Sequence, residues 1–138
     1  DGRVGRQALR EWLDAILRPY GVTYHLIGNH VITWEADDRA SGTVYCRPEH
    51  EVGDQWIVMP MLYWDRYDCV DGEWHFRSRS PHVFYAADVR ESPLAAEGRF
   101  HFPMNPLITR ADLPERLPTW QSFWTTAIGQ SQENGQDE

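Results

Sequence analysis

Residues 63–79 read YWDRYDCVDGEWHFRSR, and the Asp71-Gly72 pair inside this stretch decides how its surroundings are read. Asp-Gly tolerates the positive φ angles of a tight hairpin turn, so the residues on either side are expected as two antiparallel strands. Working outward, the first of them spans Trp56 to Cys69; the second begins at Glu73, covers Ser80 and reaches Phe84. Upstream, Thr23 to Glu35 (TYHLIGNHVITWE) is rich in β-branched and aromatic residues and ends at the turn signal Asp37-Asp38, which predicts another strand and hairpin. Ser41 to Arg47 follows as its partner. Pro48 to Gln55 is polar and holds Gly53-Asp54, so an exposed connection is expected there.

Before these strands, Leu9, Trp12, Leu13, Ile16 and Leu17 recur at helical spacing with Arg6, Arg10, Glu11 and Asp14 opposite. That spacing predicts an amphipathic helix over Val4 to Arg18, stopped by Pro19-Tyr20-Gly21. After Tyr85 the proline-rich runs SPLAAEGRF, FPMNPLIT and DLPERLP lack periodicity and are expected to wrap the sheet, with a final helix over Trp120 to Ile128. Residues 129–138 are expected as a disordered polar tail. One helix followed by a long antiparallel meander predicts an α+β fold with its sheet curved around the helix.

The chain has 138 residues, 41% of them hydrophobic, which suits a single domain with one core, here residues 1–128. Its net charge of −8, from 21 acidic against 13 basic residues, opposes binding to a phosphate backbone, so nucleic acid is not expected as a partner. No apolar run approaches the ~20 residues of a membrane span, and the first residues lack the apolar centre of a signal peptide. A cytoplasmic protein with no membrane partner is the resulting expectation. Cys46 and Cys69 form no CxxC pair and are expected as free thiols.

Nucleophile-elbow, phosphate-loop, dinucleotide and HExxH motifs are absent, and the six histidines lack the spacing of a zinc site, so neither a metal nor a cofactor is expected. Strict alternation along 24–32 places His25, Ile27, Asn29 and Val31 on one face. If that face lines a concavity, His25 can exchange a proton near neutral pH and Asn29 can bind substrate. The structural alternative is a buried histidine bonded to a backbone carbonyl. Tyr63, Asp65 and Tyr67 also share a face and can orient a polar substrate, whereas Arg77 and Arg79 can steady negative charge. The alternative for these charges is a solvated ladder across the hairpin.

Three motifs in order, GRxAL at Gly5 to Leu9, Thr23-Tyr24-His25 with Asn29, and YxDxYxxxDGxWxFxxR from Tyr63 to Arg79, resemble the SnoaL-like branch of the nuclear-transport-factor-two-like superfamily. The resemblance covers roughly residues 1–85. It implies a cone-shaped curved antiparallel sheet packed on helices, a cystatin-like α+β barrel, and a cofactor-independent lyase such as a dehydratase. By that likeness His25 is the proton-abstracting base, Arg79 a catalytic pocket residue, and Tyr63 and Tyr85 cavity-lining positions, with a small hydrophobic ring-containing substrate. An isomerase or polyketide cyclase uses the same kind of pocket, and a non-catalytic binding or assembly subunit is the rival from another class. The resemblance also implies a homo-oligomer, with a trimer favoured over a dimer. Family members carry helices and a strand before the position of Asp1, and the aspartate that orients the histidine usually comes from there. A carboxylate within hydrogen-bond reach of His25 is therefore the feature that separates enzyme from scaffold.

Overall fold

A computed structural model describes residues 2, 4–102 and 110–133, with 127–133 described as helical backbone only. Helix α1 (Arg6–Leu17) precedes strands β1 (Thr23–Ala36), β2 (Arg39–Val52), β3 (Gln55–Val58), β4 (Met61–Val70), β5 (Glu73–Val83) and β6 (Ala87–Asp88), and helix α2 (Pro118–Glu133) closes the order. All strand pairs are antiparallel. The expected α+β fold with a curved antiparallel sheet is therefore what the chain forms.

The long strand β2 organises the sheet. β1 lies along one of its edges, while β4 and β3 lie end to end along the other, followed outward by β5 and β6. Two expectations are corrected here. Pro48 to Val52 is strand rather than exposed connection, because alternation persists beneath the polar composition. Pro48 and His50 turn inward and are buried, while Glu49 accepts from Trp56 Nε1 at 2.6 Å and Glu51 from the Val22 amide at 2.8 Å. The run Trp56 to Cys69 is two strands, parted at Met59-Pro60; proline has no N–H for the ladder, and the break lets both pieces pair with β2 in turn.

The core sits on the inner face near the end of the sheet formed by β3. It contains Cys46, Ile57, Met59, Met61, Val83, Ala86 and Phe102, with Tyr20, Tyr63 and Phe100 packed against it. Both cysteines are free thiols. The apolar residues of the helices are not enclosed in the same way. Leu9, Leu13 and Leu17 of α1 and Trp120, Phe123 and Trp124 of α2 are all exposed. Helix α2 continues to Glu133, so 129–133, expected in a disordered tail, have helical backbone, and 134–138 lie outside the described residues. Part of the proline-rich segment, 103–109, also lies outside them. Among the described residues, no helix is long and apolar enough to cross a membrane.

Candidate functional site on the inner face

The faces of the sheet follow from register. Directly opposed residues share a face, so Ala40, Gly42, Val44, Cys46, Pro48 and His50 of β2 stand with Tyr67, Asp65, Tyr63 and Met61 of β4, and with Arg79 of β5 opposite Asp65. In β1 the register jumps: Ile27 opposes Cys46, but His30 opposes Val44. Gly28 and Asn29 therefore both stand opposite Tyr45, in a β-bulge. A Cβ on Gly28 would come within 3.2 Å of Tyr45 Cβ, so glycine suits this close approach.

The bulge corrects the alternation reading of β1. His25 and Ile27 face inward as expected, but beyond the bulge His30, Ile32 and Trp34 do so, not Asn29 and Val31. Asn29 is turned to the opposite face with Tyr45. A glycine inside a strand pattern is the sequence signal that foreshadows such a bulge. A second bulge between Arg66 and Tyr67 separates Arg77 from Arg79; Arg77 lies 3.6 Å from Asp68, whereas Arg79 turns inward.

Arg79 is held firmly. Its Nε and Nη2 donate to the two oxygens of Asp65 at 2.8 and 2.7 Å, and its guanidinium lies 4.1 Å from the Tyr63 ring centroid and 4.7 Å from that of Phe76. The Asp65 side chain is 0% exposed and that of Arg79 is 41% exposed, so this is a clamped cation with one side open and not a solvated ladder. The hydrogen bonds that Arg79 donates to Asp65 raise its pKa above the ordinary value. Tyr67 Oη also donates to Asp65, at 2.9 Å, and its hydroxyl pKa is pushed up to about 12 by burial and by that carboxylate. With its proton committed there, Tyr67 accepts from His30 Nε2 at 3.1 Å. Gly42 makes room for this contact, since a Cβ there would meet both His30 Nε2 and the Tyr67 ring at 2.9 Å. Tyr63 is likewise pushed up to about 12, first by burial and then by Cys46.

His25 and His50 meet edge to face at 5.6 Å between ring centroids. His50 is 4% exposed and lies between Tyr20 at 4.6 Å and Phe102 at 5.9 Å, and burial, with His25 nearby, lowers its pKa to about 4. His25 is exposed as a residue, yet its pKa is also lowered, by partial burial of the ring and then by the positive charge of Arg79. Both imidazoles are thus held toward the neutral form, the form that accepts a proton. Among the described residues, no carboxylate bonds to His25; Asp65 is taken up by Arg79 and Tyr67. Tyr85 is half-buried beyond β5 and enters none of these contacts among the described residues. His30, Gly42 and His50 thus join the face without having been singled out as site residues, and Tyr67 stands there with Tyr63 and Asp65. Among the described residues, no group of three or more histidine, cysteine or acidic side chains is placed to hold a metal ion.

Comparison with known proteins bears on this arrangement. Three solved structures are similar. A protein from Novosphingobium aromaticivorans, provisionally named a scytalone dehydratase, is 22% identical with a TM-score of 0.60, over 81% of this chain and 69% of that one. The Kfla4162 protein from Kribbella flavida is 23% identical with a TM-score of 0.55, over 59% of each chain. A hexachlorocyclohexane dehydrochlorinase (LinA) of type 2 is 23% identical with a TM-score of 0.54, over 60% of this chain and 58% of that one. The chain thus spans less than two thirds of the length of the latter two. No curated protein matches the chain significantly by sequence. A family model described as a SnoaL-like domain matches residues 1–80. With that match covering more than half of its length, this chain belongs to the SnoaL-like domain family.

Proposed function

We propose that the inner face performs a cofactor-independent β-elimination on a small hydrophobic, ring-containing molecule, with His25 as the base. The observation that carries this reading is the pairing, on one face, of an imidazole held toward its neutral form with a half-open arginine clamped by a buried carboxylate. His25 takes a proton from carbon beside an activating group. The electron pair of that C–H bond forms the double bond, and the leaving group departs with its own bonding pair. Arg79 steadies the negative charge that develops, and Tyr63 forms an aromatic wall beside it. The names of two structural neighbours, a dehydrochlorinase and a provisional dehydratase, denote eliminations and support the class.

A second reading, a non-catalytic ligand-binding or assembly subunit, is favoured by the lack of a carboxylate on His25 among the described residues, because nothing there sets its tautomer. The apolar residues left exposed on α1 and β1 support assembly into a homo-oligomer. The test is to follow chloride or water release from hexachlorocyclohexane and from hydroxylated cyclic ketones. His25→Gln is expected to lower turnover by about 10²–10⁴-fold with KM and Tm nearly unchanged. Arg79→Lys is also expected to lower it, since lysine lacks the planar fork. Turnover indifferent to both changes would replace elimination with the binding reading.

A further inference from the structure

Ser80 and Arg79 are adjacent in β5, so they project to opposite faces. Register sets Ser80 opposite Trp64 and His82 opposite Leu62, on the face turned away from His25. There Ser80 Oγ lies 3.0 Å from His82 Nε2, and His82 Nδ1 lies 2.7 Å from Asp112 Oδ2. The three groups have the connectivity of a hydrolase triad: hydroxyl to Nε2, Nδ1 to carboxylate. We infer that Ser80, His82 and Asp112 form a second site, a nucleophilic serine that takes acyl groups from activated esters.

Several features prepare the serine for this chemistry. An ionised carboxylate can only accept, so the proton shared with Asp112 resides on Nδ1 and leaves the Nε2 lone pair aimed at the Ser80 hydroxyl. Asp112 is itself fixed: its Oδ1 accepts the Val83 amide at 3.0 Å, and its own amide donates to the Val83 carbonyl at 3.0 Å. His82 is 5% exposed and its ring centroid lies 3.9 Å from that of Trp64, which restrains the imidazole. Ser80 is exposed, so the nucleophile at the end of this ordered chain meets solvent. Arg116 helps to hold the carboxylate and the ring that restrain the imidazole, being 3.6 Å from Asp112 and 5.9 Å over the Trp64 ring. Asp112 and Arg116 also line a surface hollow of about 430 Å³ with Arg99, Arg110 and Glu115, at the carboxylate end of the triad.

The step balances without a cofactor. The Ser80 O–H proton passes to His82 Nε2 as the Oγ–C bond forms at the ester carbonyl, whose oxygen takes up the negative charge of the tetrahedral intermediate. Nε2–H then protonates the departing aryloxide as the C–O bond breaks. Water repeats the sequence on the acyl-serine and releases the carboxylic acid. None of these residues belongs to the His25 site, so the two readings stand or fall separately.

The test treats the full chain with a fluorophosphonate probe and with 4-nitrophenyl acetate, and locates the adduct by peptide mass spectrometry. A single adduct on Ser80 is expected, with a nitrophenolate burst equal to one acyl group per chain. Ser80→Ala should abolish both while leaving Tm unchanged. Asp112→Asn should slow labelling by about 10²-fold or more, and Arg116→Ala should slow it by a smaller factor. Neither Ser80→Ala nor Asp112→Asn alters the buried imidazole, so both readouts remain available even if a variant of His82 fails to fold. No adduct, an adduct on another residue, or labelling of Ser80 that is insensitive to Asp112→Asn would overturn the proposal.

Discussion

Strands β1 and β2 are each 14 residues long and pair with one another, yet their surroundings differ almost completely. In β2 buried residues alternate with more exposed ones from Ala40 to His50, whereas in β1 every residue from Thr23 to Glu35 is exposed. The cause is neighbours. β2 has strands on both edges and the core on its inner face, while β1 has a strand on one edge only and nothing enclosing its side chains among the described residues. The two histidines that meet across this pair carry the same contrast: His50 lies in a stack of rings and His25 stands at the open side. Enclosure on both edges and one face makes β2 part of the frame, while β1 is an open edge strand, and the changes below act on one side or the other of that division.

The largest expected effect on stability is on the β2 side, through acid. In the unfolded chain His50 takes up a proton near its ordinary pKa of about 6.5, but in the fold it does so only near 4. Between those values the unfolded state binds more protons, so stability is present above about pH 6.5 and is lost as pH falls toward 4, by roughly 3 kcal/mol. Urea melts from pH 7 to pH 4 should show this loss, and His50→Gln should flatten the curve. A His50→Gln protein with the same acid slope would move the titrating group elsewhere.

Next is Asp65→Asn, which removes the charge that Arg79 and Tyr67 bond to in a buried position. A loss of about 2 kcal/mol is expected from denaturant midpoints, together with reduced turnover because Arg79 loses its clamp. Gly42→Ala follows at about 1–2 kcal/mol. Its Cβ would crowd His30 and Tyr67, and the shift should be visible in the thermal midpoint and in the histidine ring NMR signals.

The smallest effect belongs to β1. Val31 is 61% exposed, so Val31→Ser should change the stability of the separated chain by less than about 0.5 kcal/mol. Melts at two protein concentrations sharpen the comparison. A loss that emerges only where chains associate would show that assembly encloses β1, whereas a loss of 2 kcal/mol in the dilute chain would break the division between the strands.

The strand content and antiparallel pairing were legible in the residues themselves. Asp71-Gly72 marked its hairpin, alternating β-branched and aromatic residues marked the strands, and leucines at helical spacing marked α1. Those signals are local, set by the backbone preferences of a few neighbouring residues. The Pro60 break and the Gly28 bulge were present as single residues, but what each does to pairing depends on the strand opposite. That is why Asn29 left the expected site and His30 entered it. Polar composition hid the continuation of β2 through His50, because a glutamate can stand on the outer face of a strand as readily as in a loop. Ser80, His82 and Asp112 were beyond any pattern in the chain. Thirty positions separate the histidine from its carboxylate, and only the pairing of Asp112 with the Val83 backbone brings them together. Turns, helical spacing and most strand positions are set by adjacent residues and can be read along the chain; which side chains meet is set by burial, register and reach, which are properties of neighbours distant in it.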